Sequence, residues 1–361
     1  MLVVRAATPS DLDAVMQLAA AAGPGMTTLK ADRQALAGRL ALAQASFAQA
    51  VPIEQRDYVF VLDDLAQGRV GGIAAIKAAV GLDEPFYNYR LGTLVHSAAA
   101  AEVYVRHEVL YLSHDLTGSA ELCSLFLHPD YRRGGAGKLL SKSRFLFIAE
   151  HPQLFARGVF AEMRGYQDAD GGSPFWESVG RKFFGMDFDR ADDLCRPGAK
   201  SYIAELMPRY PIYTCFLSEA ARAAIGRTHA DTAPARRLLE QEGLRASAYI
   251  DIFDGGPVLQ ASTRELRATR ESAVATVAAA REATRAAALG NGKQLICTTG
   301  TGDFRVIASS AATADGAVSM PSVERRALQC DAGRTVRVLA MAPGQSMHQI
   351  GAAAESLISA L

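Results

Sequence analysis

Residues 120–138 read AELCSLFLHPDYRRGGAGK, and this stretch decides the fold class. Ala120–Leu127 has the length and the apolar content of a buried strand. His128-Pro129-Asp130 ends it, because proline lacks a backbone donor and biases the residue before it away from the helical region. Tyr131–Gly137 is a glycine-containing loop, and Lys138–Ile148 (KLLSKSRFLFI) has helical periodicity. A further strand is expected at Gly158–Met163. Strand, loop, helix and strand in this order form a crossover unit that sets two parallel strands side by side. The class is α/β (α+β), with a mixed sheet.

Working outward, a short strand at Leu2–Arg5 precedes Thr8-Pro9-Ser10-Asp11, a helix start with a hydroxyl cap and proline in the first turn. A second helix is expected from about Lys30 to Ala48. Tyr58–Leu62 and Val70–Val80 read as an antiparallel hairpin around Ala66-Gln67-Gly68-Arg69. Residues 83–117 are irregular and aromatic-rich, with short strands at Gly92–His96 and Val109–Leu112. Residues 166–225 read as an ordered insertion. Thr232–Gln241 reads as a helix closed by Gly243, followed by a strand at Ser247–Phe253. A boundary is placed after Asp254-Gly255-Gly256-Pro257, which gives a first domain over 1–260. An Ala- and Arg-rich helical or linker segment over 261–292 and a small β-rich domain over 293–361 complete the chain.

Lys+Arg and Asp+Glu each number 38, so the chain lacks the net positive charge typical of nucleic-acid binders. The five cysteines are widely spaced, with neither a CxxC pair nor Cys/His ligand spacing, so no disulfide framework and no metal site is expected. No basic leader and no long apolar run is present, and the expected location is the cytoplasm.

Chemistry concentrates at Arg132-x-x-Gly135-x-Gly137. Glycines there let main-chain N–H groups curl around a phosphate, and the helix that follows presents unpaired donors and its positive dipole end. A flexible turn would have the same local sequence. Two other phosphate loops fail. Gly137-Lys138 is followed by Leu139, so the hydroxyl of a Walker A loop is missing, and Gly135-Ala136-Gly137 lacks the third glycine of a dinucleotide fingerprint.

RxxGxG between a strand and a helix resembles the pyrophosphate loop of the GNAT acyl-CoA N-acyltransferases. Longer stretches resemble the arginine N-succinyltransferase family: GxMTTL (25–29), DEPFYNYRLGTLVH (83–96), HDLTGSAELCSLFLHPDYR (114–132), AEMRG (161–165), SPFWESVGRKFFGMDF (173–188), IAELMPRYPIYTCFL (203–217), IGRTHADTAPA (225–235) and YIDIFDGGP (249–257). The resemblance implies a GNAT-like core with a centrally splayed sheet, and transfer of a succinyl group from succinyl-CoA to the α-amine of L-arginine in arginine catabolism. It implies no metal, and a homo-oligomer or paired alpha and beta chains. Lys30, His114 and Ala120 depart from the family's usual proline, asparagine and serine. Ornithine or another amine as acceptor, or a non-catalytic CoA-binding subunit, are the rival readings.

The resemblance assigns Leu125 to the succinyl-CoA site and makes His229 the proton donor. Independently, His229 precedes a helix whose N-terminus should face the carboxyl ends of the parallel strands, where open α/β sheets bind ligands. A helix N-terminus, however, disfavours an imidazolium. Arg132, Arg133, Gly134, Gly135, Ala136, Gly137 and Lys138 are expected around the diphosphate. A guanidinium substrate calls for carboxylates, and Glu121, Glu162, Asp251 and Asp254 lie near strand ends. Asn88, Arg90 and Arg164 are candidates for its carboxylate. Cys123 reads as a small buried strand residue rather than a nucleophile.

Overall fold

The computed structural model describes residues 1–22, 26, 28–188, 190–191, 205–279 and 293–344. The chain enters on β1 (Leu2–Ala6) and continues through α1 (Leu12–Ala22), α2 (Arg33–Phe47), β2 (Asp57–Asp64) and β3 (Arg69–Lys77). A hairpin of β4 (Asn88–Ala98) and β5 (Val103–Ser113) leads to β6 (Ala120–Leu127), α3 (Ala136–Glu150) and β7 (Gly158–Glu162). Next come α4 (Pro174–Ser178), α5 (Gly180–Phe184), β8 (Ile212–Tyr213), α6 (Glu219–Ala224), α7 (Ala233–Gln241), β9 (Arg245–Ile250) and β10 (Pro257–Ser262). The remainder comprises α8 (Arg267–Glu271), β11 (Ala273–Val277), β12 (Gln294–Thr298), β13 (Arg305–Ser309), β14 (Ala312–Ala314), β15 (Ala317–Ser319), α9 (Ser322–Leu328) and β16 (Thr335–Ala340).

All of these strands belong to one mixed sheet, ordered β14-β15-β11-β16-β12-β13-β1-β2-β3-β6-β7-β10-β9-β4-β5-β8. The expected parallel pair is present: β6 meets β7 at Ala120↔Val159 and Glu121↔Phe160. Beyond those two positions the pairing stops, while β6 runs on to Leu127 and β7 to Glu162. The strands therefore open toward their carboxyl ends.

A bulge accompanies the opening. In the β3–β6 register Ile73 faces Phe126 and Ala75 faces Cys123, so Ser124 and Leu125 together stand opposite Ala74. Ser124 has φ +52°, in the left-handed region a serine rarely adopts. An extra residue of this kind bends its strand and re-aims the groups beside it.

Helices cover both faces. Val15 and Leu18 of α1 and Leu36 and Leu40 of α2 pack on Val59, Val61, Ile73 and Cys123. Helix α3 lies buried on the other face, where Phe147 contacts Phe60 at 5.2 Å and Phe304 at 4.9 Å between ring centroids. Lys142 of α3, Glu242 after α7 and Arg267 of α8 form a buried ionic cluster, and Arg267 also donates to the Ala340 carbonyl at 3.0 Å.

Three expectations change. The aromatic stretch holds two eleven-residue strands instead of short ones, and their outer halves are exposed on both faces, so no half-buried alternation marks them. The sheet does not break after Pro257: β10 begins there, between β7 and β9, and proline at the first position of a strand loses no ladder bond. The Ala-rich segment over 261–292, read as helix or linker, holds the short helix α8 and then strand β11, where pairing with β16 outweighs the helix preference of alanine. Its residues 280–292 lie outside the described residues. The C-terminal strands extend the main sheet through β13 and β1, at Val4↔Val306 and Arg5↔Arg305. The region read as an insertion packs Phe175, Trp176 and Ala221 against Tyr89, Leu110 and Ile250.

Candidate active site at the mouth of the splayed strands

Three segments converge on the carboxyl ends of β6 and β7. The first is the loop from β6 into α3. Gly134 and Gly135 have φ of +73° and +89°, conformations only glycine adopts freely, and Gly135 caps α3. Gly137 lies inside the helix, where a methyl group would meet only ordinary contact with Leu127, so neither φ nor space demands that glycine. Ala136 is buried and starts the helix, while Arg132, Arg133 and Lys138 are exposed. None of these three cations pairs with a carboxylate among the described residues; Arg132 Nε donates to the Leu127 carbonyl at 3.3 Å. Exposed cations beside a helix N-terminus favour an anion there.

The second segment is the bulge. Leu125 is half-buried, immediately after Ser124, in the part of β6 that β7 no longer pairs. Ser124 Oγ donates to the Thr28 carbonyl at 3.4 Å, and Arg39 donates to the same carbonyl while pairing with Asp57 at 2.7 Å. Thr28, which lies between α1 and α2, is thereby tied to the bulge. Of the GxMTTL motif, Gly25 and Thr27 lie outside the described residues. Nothing in the run ELCSLFL marks the left-handed serine.

His229 lies in the third segment. Gly165, just beyond β7, forms an antiparallel bridge with Thr228, and His229 N–H donates to the Arg164 carbonyl at 2.8 Å. The histidine caps the short turn Ala230–Thr232, its Nδ1 accepting from Asp231 N–H at 3.2 Å. Burial first, and then the Arg164 charge, hold its pKa below the ordinary histidine value. Since Nδ1 accepts, the proton of the neutral ring sits on Nε2. The ring can thus present a hydrogen-bond donor without becoming an imidazolium.

Asp254 fixes this junction. Its carboxylate accepts from Gly165 N–H at 2.6 Å and from Gly256 N–H at 2.8 Å. A Cβ at position 165 would lie 2.4 Å from the Asp254 carbonyl oxygen, so only glycine fits. Burial and neighbouring Asp251 push the Asp254 carboxyl up to about 8. Asp251 in turn accepts from the N–H groups of Phe253 and Asp254 at 2.7 and 2.9 Å. Both aspartates expected to meet a substrate are engaged in holding loops.

The remaining candidates divide. Asn88 donates to Glu162 at 2.5 Å, and its buried Oδ1 has no hydrogen-bond partner among the described residues. Arg164 donates to Gln167 at 2.5 Å, with its buried Nε likewise unmatched among the described residues. Glu162, Arg164 and His229 are therefore gathered at the end of β7. Glu121 sits further back, paired across the ladder with Phe160 and 3.5 Å from Lys77. Arg90 is exposed and engaged elsewhere, 3.6 Å from Asp115 and over the Tyr111 ring. Burial raises the Cys123 thiol to about 11, unsuited to a nucleophile at neutral pH.

A family model for the arginine N-succinyltransferase beta subunit matches residues 2–268. The chain is 46% identical over 342 residues to the arginine N-succinyltransferases of Salmonella schwarzengrund and Salmonella agona, covering 94% of this chain and 97% of each relative. It belongs to the arginine N-succinyltransferase family. The solved structure of arginine/ornithine succinyltransferase subunit AI from Pseudomonas aeruginosa superposes with a TM-score of 0.84 at 34% identity, covering 94% of this chain and 99% of that one. Family membership makes the chain an acyltransferase with a GNAT-like α/β fold. An alignment of 342 residues cannot fit within 2–268, so the likeness to the Salmonella enzymes reaches into the C-terminal strands.

Proposed function

We propose that the chain transfers the succinyl group of succinyl-CoA to the α-amine of L-arginine, giving N2-succinyl-L-arginine and CoA. One observation carries this reading. The cationic loop after β6, the bulged strand at Leu125 and the His229 turn all lie at the same end of the parallel pair β6–β7.

In this reading the diphosphate rests on the N–H groups of Gly134–Lys138, with Arg132, Arg133 and Lys138 around it. The thioester enters the opening between β6 and β7. The α-amine, neutral once it has lost its ammonium proton, attacks the carbonyl carbon, and the Leu125 N–H receives the developing oxyanion. The C–S bond then breaks, and the proton shed by the attacking nitrogen passes to the departing sulfur, while the neutral His229 ring, its Nε2–H facing that sulfur, supports the transfer by hydrogen bonding and ends unchanged. In sum, one proton leaves nitrogen and one reaches sulfur. Arg164, with its unmatched Nε, suits the acceptor's carboxylate, and Glu162 its cationic end.

Ornithine is the second acceptor to consider, because the Pseudomonas relative is named for both amino acids. The same relative is called a subunit, which favours an oligomer for this chain. No helix among the described residues is long and apolar enough to cross a membrane, in keeping with a cytoplasmic role in arginine breakdown. Incubation with succinyl-CoA and either amino acid, followed by mass spectrometry, tests the assignment. Succinylarginine formed with stoichiometric free thiol is the expected result. Tight CoA binding with no acylated product would leave a binding subunit instead.

A further inference from the structure

Three Lys or Arg side chains are buried among the described residues: Lys142, Arg144 and Arg267. Lys142 and Arg267 share Glu242, whereas Arg144 has no carboxylate partner among the described residues. Only 1% of it is exposed, and its hydrogen bonds go to the Ser141 carbonyl at 3.3 Å, the Ser141 hydroxyl at 3.2 Å and the Cys123 carbonyl at 3.5 Å. Burial lowers its guanidinium to about 10, so it stays charged at neutral pH. A lone charge buried away from any anion is costly and does not explain itself as a stabilising element.

Its place in the fold supplies the explanation. The Cys123 carbonyl and the Ser124 N–H belong to one peptide unit, and the next rotation, the +52° φ of Ser124, sets where the Leu125 N–H is aimed. We infer that Arg144 is a positioning residue for acyl transfer, holding the Cys123–Ser124 peptide from the α3 side so that the bulge keeps the Leu125 N–H directed into the opening between β6 and β7. Its positive charge also biases that opening toward a developing oxyanion. Together with the Ser124–Thr28 contact on the opposite face, it clamps the bulge from both sides. The inference rests on the acyl-transfer reading above.

The test compares wild type with Arg144→Met and Arg144→Lys in steady-state turnover, thermal unfolding, and isotope-edited infrared spectra of bound succinyl-CoA labelled at the thioester carbonyl. Methionine is similar in length, and replacing a buried charge by an apolar side chain is often neutral or stabilising. Arg144→Met should therefore lower kcat by about 30-fold or more, somewhat less than the roughly 100- to 1,000-fold seen when an oxyanion donor itself is removed. Its KM values should stay within about threefold and its unfolding midpoint should not fall, the pattern of an interaction made only in the transition state. The labelled carbonyl band should move to higher frequency than in wild type. Arg144→Lys keeps the charge with a shorter reach and should fall between the two, and it decides the matter where the methionine variant is recovered unfolded. Wild-type kcat and an unmoved carbonyl band in either folded variant would overturn the inference, as would activity loss that only tracks lost stability. A wild-type protein that releases no CoA with succinyl-CoA and arginine would instead overturn the acyl-transfer reading and this inference with it.

Discussion

His128 and His229 occupy the same local structure at two different places along the sheet. Their φ and ψ are −56° and 141° in one case and −57° and 141° in the other. Each is followed two residues later by an aspartate whose N–H meets the histidine Nδ1, at 3.3 Å for His128 and 3.2 Å for His229. Each opens a short turn ahead of a helix. At Nε2 they diverge: that of His128 lies 3.1 Å from Arg69, which also pairs with Asp130, while that of His229 has no hydrogen-bond partner among the described residues. His128 N–H is tied to the Gly71 carbonyl on β3, and His229 N–H to the Arg164 carbonyl beyond the end of β7. At His229 the cap leaves the ring proton on Nε2, whereas at His128 the Arg69 donor competes for that nitrogen. The strand end beneath each ring decides what lies within its reach.

The largest effect should come from separating cap from chemistry at His229. His229→Asn retains a good capping side chain but loses Nε2, so thermal stability should stay within about 1 kcal/mol while kcat falls at least about 100-fold. The same change at His128 should leave kcat within about twofold, since a cap is all that is replaced. Gly165→Ala attacks the scaffold instead. Its Cβ collides with Asp254 and disturbs the bridge to Thr228, so denaturant unfolding should show a loss of roughly 2 kcal/mol, with kcat lowered as well. Arg133→Ala should raise the KM for succinyl-CoA several-fold, with a shallower salt dependence and little change in kcat.

The smallest and most diagnostic effect is in pH dependence. A histidine held below its ordinary pKa of 6.5 is still neutral there, so the acid limb of kcat/KM should fall below pH 6.5. Arg164→Gln removes one of the two causes of the depression and should move that limb upward. An acid limb above pH 6.5 in wild type would mean that the ring does not act from its neutral form.

Much of the fold was readable because local signals agree with the tertiary outcome. Around β6 and α3, an apolar run, a proline break, two left-handed glycines and helical periodicity each mark one element and leave few alternatives. The positions of the loop cations around the start of α3, and of His229 just ahead of a helix, were readable for the same reason. The bulge was not readable, because serine has no preference for a positive φ and Ser124 is held there by contacts from Thr28 and α3. Asp251 and Asp254 looked like substrate carboxylates because sequence shows charge near a strand end but not what fills its hydrogen bonds. Strand β11 was hidden by alanines that favour helix in isolation and yield to a waiting strand edge.

The most direct trial is a side-by-side thiol-release assay of wild type and His229→Asn, with saturating succinyl-CoA and L-arginine near neutral pH. Arginine-dependent CoA release by wild type, and at least about a hundredfold slower release by the variant at matched folded concentration, is the predicted outcome. Equal rates in the two proteins, or no arginine-dependent release from either, would contradict it.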